Sequence, residues 1–168
     1  EIRLSLVGSE MCIRDSLSNA VPGATGRMTA TEATLLLGGR GSVAEVRASI
    51  DAFIVHWEWL EQRRAQPGTH KAPYSVAPYY FMFAHFSAAQ AVELLPEVQR
   101  AEYRRRVNEL LFSVRQEDGS WNDRVFERSS AYSTAMAMLA IMSPDAAPPA
   151  RWTPPPPPPA TPLDAPGG

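Results

Sequence analysis

Apolar residues recur at helical spacing in two segments of this chain and fill three others almost completely. In 97–115, Val107, Leu110, Leu111 and Val114 fall at i, i+3, i+4 and i+7, while Arg100, Arg104, Arg105 and Glu109 point elsewhere. In 43–66, Val46, Ile50, Phe53, Ile54 and Trp57 share one face. Both patterns predict amphipathic helices that lie on a surface. Segments 28–37, 78–95 and 130–142 are different: apolar or small residues surround nearly the whole helix, and no charge falls between Arg128 and Asp145. A helix apolar all round is expected to be buried on every side. Punctuation agrees with these bounds. Gly38-Gly39 ends the first buried segment, Pro78 opens the second and Pro96 closes it, and Pro144 stops the third. Ser129 or Ser130 offers that third helix a cap, and Asp118-Gly119 supplies a turn in which glycine takes positive φ without a Cβ clash.

The order is inner, outer, inner, outer, inner, and it repeats. Tyr80 and Tyr132 open corresponding inner segments 52 residues apart, and Met28 lies a further 52 back. Pro67-Gly68-Thr69-His70 sits 51 residues before Asp118-Gly119-Ser120-Trp121, also after a helix. A period near 50 with alternating amphipathic and buried helices predicts stacked helix pairs, and it exceeds the period of about 34 of tetratricopeptide arrays.

Gln116-Glu117-Asp118-Gly119-Ser120-Trp121 joins an outer helix to an inner one. As Gln-x-x-Gly-x-Trp followed by Tyr132-Ser133-Thr134-Ala135-Met136-Ala137, it resembles the QW repeat of squalene and terpenoid cyclases and of the prenyltransferase and squalene-oxidase repeat proteins of bacteria. The resemblance covers residues 27–144 and is strongest over 78–144. It implies an all-α fold, a partial α/α toroid in which inner helices are ringed by outer ones, spanning 17–145. It also implies that Gln116 and Trp121 stack on each other, with Asp118 and Gly119 forming the turn of the motif. The function implied is the C-terminal part of a cyclase- or prenyltransferase-like protein, forming one wall of an isoprenoid-binding cavity. The alternative is a non-catalytic toroid that serves as a binding scaffold, because fold alone does not choose chemistry. Read without the resemblance, the same residues make a helical hairpin closed by an Asp-Gly turn.

Residues 1–16 are read differently. Leu6-Val7-Gly8-Ser9-Glu10-Met11-Cys12-Ile13-Arg14-Asp15-Ser16 back-translates to a transposase adapter used to prepare sequencing libraries, so 1–16 is taken as a translated scar and left out of fold reasoning. Cys12, the single cysteine, goes with it. That removes any expectation of a disulfide, a thiol nucleophile or a thiolate metal site, and the true N-terminus is expected to be missing. Of the 16 basic and 18 acidic side chains, Arg3, Arg14, Glu1, Glu10 and Asp15 fall in the scar, which leaves the rest close to neutral and without a nucleic-acid footprint. Residues 146–168 hold ten of the 16 prolines, so a solvated, disordered tail is expected there. Between Lys71 and Glu93 only His85 carries possible charge, a length that could cross a bilayer. Pro73, Pro78, Ser87 and Gln90 lie within it and argue against a span.

The chemistry is sparse. Cyclases of the resembled family protonate with Asp-x-Asp-Asp. Here Asp51, Asp118, Asp123, Asp145 and Asp164 lie too far apart in sequence to form it. The zinc site of the protein prenyltransferases needs Asp, Cys and His. With histidines only at 56, 70 and 85, no metal site, cofactor or catalytic residue is expected. The candidate cavity lining is Tyr80, Phe83 and His85 on one inner helix and Tyr132 and Met136 on the next. There, π-faces could stabilise a cation and an isoprenoid or other apolar ligand would be the partner of the whole protein. Core packing is the plainer role for each of these rings, and a hydrogen-bonded core position is the plainer one for His85.

Overall fold

The computed structural model describes residues 20–155 apart from 65, 67–69, 71, 75, 125, 127 and 148. The readings of 1–16, of Pro67-Gly68-Thr69 and of the tail beyond 155 lie outside the described residues. Within them the chain is all-helical: α1 (Val21–Leu37), α2 (Val43–Arg64), α3 (Tyr80–Val92), α4 (Glu97–Ser113) and α5 (Ser129–Ile141), then a short 3-10 turn, Ser143–Asp145. None of these helices is long and apolar enough to cross a membrane.

The first helix begins at Val21, seven residues before the expected Met28. Pro22, Gly23 and Gly26 read as loop by propensity. A proline in the first turn, however, gives up an N–H that has no intrahelical partner anyway. Gly26 is where α1 meets α3: a Cβ there would stand 3.3 Å from Tyr80 Cβ. The helix closes with the N–H groups of Arg40 and Gly41 donating to the Leu35 carbonyl (2.9 and 3.0 Å).

Ser42 and Glu45 cap α2 reciprocally. Ser42 N–H donates to Glu45 Oε2 (2.8 Å), and Glu45 N–H donates to Ser42 Oγ (3.2 Å). Val46, Ile50, Phe53 and Leu60 of α2 are buried, with Ile54 and Trp57 packed beside them. The α4 stripe is likewise turned inward through Val107 and Leu111, with Leu110 and Val114 half-buried.

Helix α3 touches every other helix and is the centre of the molecule. Phe81, Met82, Ala84, His85, Ala88, Ala91 and Val92 on it are buried. The contacts define two layers. In one, α1 and α5 flank α3; in the other, α2 and α4 pack on α3 and on each other. Arg104 of α4 grips Glu93 at the end of α3, its Nε–H donating to Oε1 (2.8 Å).

Helix α5 departs from expectation. Ser133, Ala137 and Ala140 are buried, but Tyr132, Met138, Leu139 and Met142 are about half exposed. An apolar circumference shows that cover is needed on each side, and among the described helices only α3 and the following 3-10 turn lie closely against this one. Neither serine caps it: Arg128 holds the cap position with no side-chain bond, and Ser129 Oγ accepts from the upstream Phe126 N–H (3.1 Å). Past the helix, Arg151 to Pro155 is exposed, yet Trp152 N–H donates to the Leu37 carbonyl at the end of α1 (2.8 Å).

Candidate functional site

The joint between α4 and α5 is built from main-chain groups that the α4 terminus leaves without partners. The last carbonyls of a helix have no intrahelical donor. Here Ser113 Oγ–H serves Leu110, Arg115 N–H serves Phe112, and the Trp121 indole Nε1–H serves Leu111 (2.8 Å). The indole is 5 % exposed, with Phe112 edge-on at 5.7 Å and the Arg115 guanidinium over its ring at 5.3 Å. Gln116 lies nearby but engages the turn: its Oε1 lies 2.9 Å from Ser120 Oγ, and its N–H and carbonyl bond Ser120 and Gly119. The group observed over the indole face is thus Arg115.

Gly119 sits at φ +87°, a conformation that side chains rarely adopt. Asp118 Oδ1 accepts from both Ser120 N–H (2.9 Å) and Ser120 Oγ–H (2.7 Å), and these bonds hold its carboxyl below the usual range. On the far side of the joint, α5 supplies the acceptors. Trp121 N–H donates to Thr134 Oγ1 (3.1 Å) and Asp123 N–H to Ser133 Oγ (3.0 Å). The Tyr-Ser-Thr run thereby acquires a physical role: its two hydroxyls hold the joint against the helix it feeds.

Two arginines of α2 that sequence reasoning passed over hold connecting segments, Arg64 the joint and Arg63 the stretch between α2 and α3. Arg64, 4 % exposed, pairs with Glu61, donates from Nη1 to the Asn122 carbonyl (3.0 Å) and lies over the Phe81 ring at 5.0 Å. Arg63, also buried, donates to the carbonyls of Val76 and Gln66, each at 2.7 Å. Basic residues in a last helical turn signal a favourable dipole interaction; nothing in their spacing reveals burial.

The joint and the first turns of α3 and α5 border an open cavity of about 330 Å³, lined by Tyr79, Tyr80, Phe83, Asp123, Phe126, Ser129 and Tyr132. That is the lower end of the range for small-molecule sites. The rings of Tyr79 and Tyr80 lie 4.6 Å apart, with Phe83 edge-on to Tyr80 at 6.5 Å. Asp123 is 2 % exposed and is the one charged residue among the described lining. Partial burial, and secondarily the Asp123 carboxylate, push the Tyr132 phenol above its ordinary value.

Of the expected lining, Tyr80, Phe83 and Tyr132 meet at this cavity, and His85 and Met136 do not. His85 is fully buried among Phe53, Trp57 and Phe81. Trp57 Nε1–H can only donate, and does so to His85 Nε2 (2.9 Å); Nδ1 therefore carries the proton and donates to the Phe81 carbonyl (2.8 Å). Burial pushes this histidine down to about 4, with the Phe81 bond opposing weakly. It is a neutral core residue. Met136 packs half-buried against the core, one turn beyond Tyr132.

A rotational signal for His85 was present: at about 100° per residue, it lies about 200° round α3 from Phe83, on the opposite face. Tyr79, Asp123 and Phe126 were missed as lining because they precede their helices and no periodicity applies to them. Among the described residues no group of three His, Cys, Asp or Glu is placed to hold a metal. No protein-family model, curated protein or solved structure matches this chain.

Proposed function

We propose that this chain is part of an α/α-toroid repeat protein of the squalene-cyclase and prenyltransferase kind, in which the α1–α3–α5 layer is one wall of a cavity for an isoprenoid or similar apolar ligand. The observation that carries the reading is the aromatic cavity between the first turns of α3 and α5, where Tyr80, Phe83 and Tyr132 converge across two helices of the same layer. Two features support it. The Trp121 joint fastens an outer helix to the neighbouring inner one, and the open side of α5 presents Met138, Leu139 and Met142, as a helix awaiting its next neighbour would. A scaffold that binds without catalysing draws on a different feature. Asp123 is a single carboxylate in the described wall, suited to orienting a ligand, whereas the resembled cyclases protonate with clustered aspartates.

Titration with farnesol, followed by intrinsic fluorescence or calorimetry, tests the reading. Binding should be saturable and weakened by Phe83→Ala and Tyr132→Ala, and unchanged by Val55→Ala on the exposed side of α2. Binding indifferent to the first two substitutions, or absent from a chain shown to be helical, overturns it. Turnover of squalene would decide for an enzyme over a scaffold.

A further inference from the structure

The cavity that carries the proposed function has a lining more selective than a hydrocarbon requires. Five aromatic residues, Tyr79, Tyr80, Phe83, Phe126 and Tyr132, border one space, and the other two neighbours are Ser129 and the acidic Asp123. No lysine or arginine is among the described lining residues. Aromatic faces carry negative potential, and rings gathered around one volume attract alkylated ammonium groups, whose methyls also bury apolar area. A carboxylate in the wall adds a counter-charge in a setting that water screens poorly, since Asp123 is 2 % exposed. Among the described lining residues only hydroxyls could pair with a phosphate or carboxylate, and the nearby Arg128 guanidinium lies over the Phe126 ring at 5.2 Å.

We infer that this cavity is an aromatic cage for a small organic cation, an alkylated ammonium compound, with Asp123 as its counter-ion. The inference rests on the reading of the cavity as a ligand site and specifies the class of ligand that it takes.

The test compares choline with neohexanol, its neutral carbon isostere, and with farnesol, by calorimetry on the whole chain. Choline should bind at least about tenfold more tightly than neohexanol, the scale of a partly desolvated cation–π and charge interaction. Asp123→Asn should weaken choline several-fold and leave neohexanol unchanged. Because Asp123 is buried at the joint, Phe126→Ala serves as a second variant. Phe126 is 59 % exposed, so its removal should leave helical content intact while weakening choline. Equal binding of choline and neohexanol, or farnesol binding without choline binding, overturns the cation inference and leaves the apolar cavity standing. Failure of all three ligands with a helical chain overturns both. Choline binding unmoved by Phe126→Ala and Asp123→Asn places the site elsewhere and also overturns it.

Discussion

Replacing Trp121 with alanine removes an indole that is 5 % exposed and touches three parts of the joint at once. Losing a large buried aromatic costs about 3–5 kcal/mol, the transfer of its apolar surface together with the cavity left behind. The Leu111 carbonyl also loses the donor held at 2.8 Å in a buried bond. An acceptor stranded in this way costs about 1–3 kcal/mol, part of which is recovered if water enters the vacated space. The sum is therefore placed near the upper end of the aromatic range, about 4–5 kcal/mol, a large share of the roughly 5–15 kcal/mol that holds a domain together. Trp121→Phe separates the two contributions. It keeps most of the ring contact with Phe112 and Arg115 but has no N–H, so about 1–2 kcal/mol should be lost. Urea titration by circular dichroism measures both: the midpoints should fall in the order wild type, Phe, Ala, with the slope unchanged. If alanine costs less than about 1 kcal/mol, the joint does not depend on this indole and the reasoning fails.

Three further outcomes are expected. His85 is neutral when folded and its pKa lies below the ordinary 6.5, at about 4. Its contribution is thus fully present above pH 6.5 and is lost as pH falls toward 4, by about 3 kcal/mol in all. Urea midpoints taken across that window should fall, and a slope that survives unchanged in His85→Gln would assign the loss to other groups. Gly119→Ala should destabilise by about 1–2 kcal/mol because an alanine at φ +87° is strained, and its Cβ would also meet Arg115 Nη2 at 2.8 Å; a neutral effect by the same urea assay would mean that the turn relaxes. Amide exchange should be slowest in α3, packed against every other helix, and faster in α5, whose outer side is open. The reverse order would show that α5 is covered in solution.

Much of the helical architecture is local and was therefore legible. The α4 stripe of Val107, Leu110, Leu111 and Val114 sets both the helix and the face it turns inward, because side chains three and four residues apart must share a side. The Asp118-Gly119 turn is equally local, as few residues other than glycine accept its φ. The start of α1 was not legible. Pro22, Gly23 and Gly26 are poor helix formers in isolation, and only packing of Gly26 against Tyr80 of α3 makes the bare backbone an advantage there.

The candidate site shows the same division. The sequence alone determined that aromatic residues open both α3 and α5, and that His85 shares α3 with Tyr80 and Phe83. Which of them meet was settled by tertiary structure. Tyr80, Phe83 and Tyr132 converge because α3 and α5 lie side by side, and Asp123 and Phe126 join them because Ser133 and Ser129 hold the joint against α5. His85 turns the other way and finds Trp57, a residue 28 positions distant. Periodicity fixes a side chain's direction around its own helix; what lies in that direction depends on chain that arrives from elsewhere.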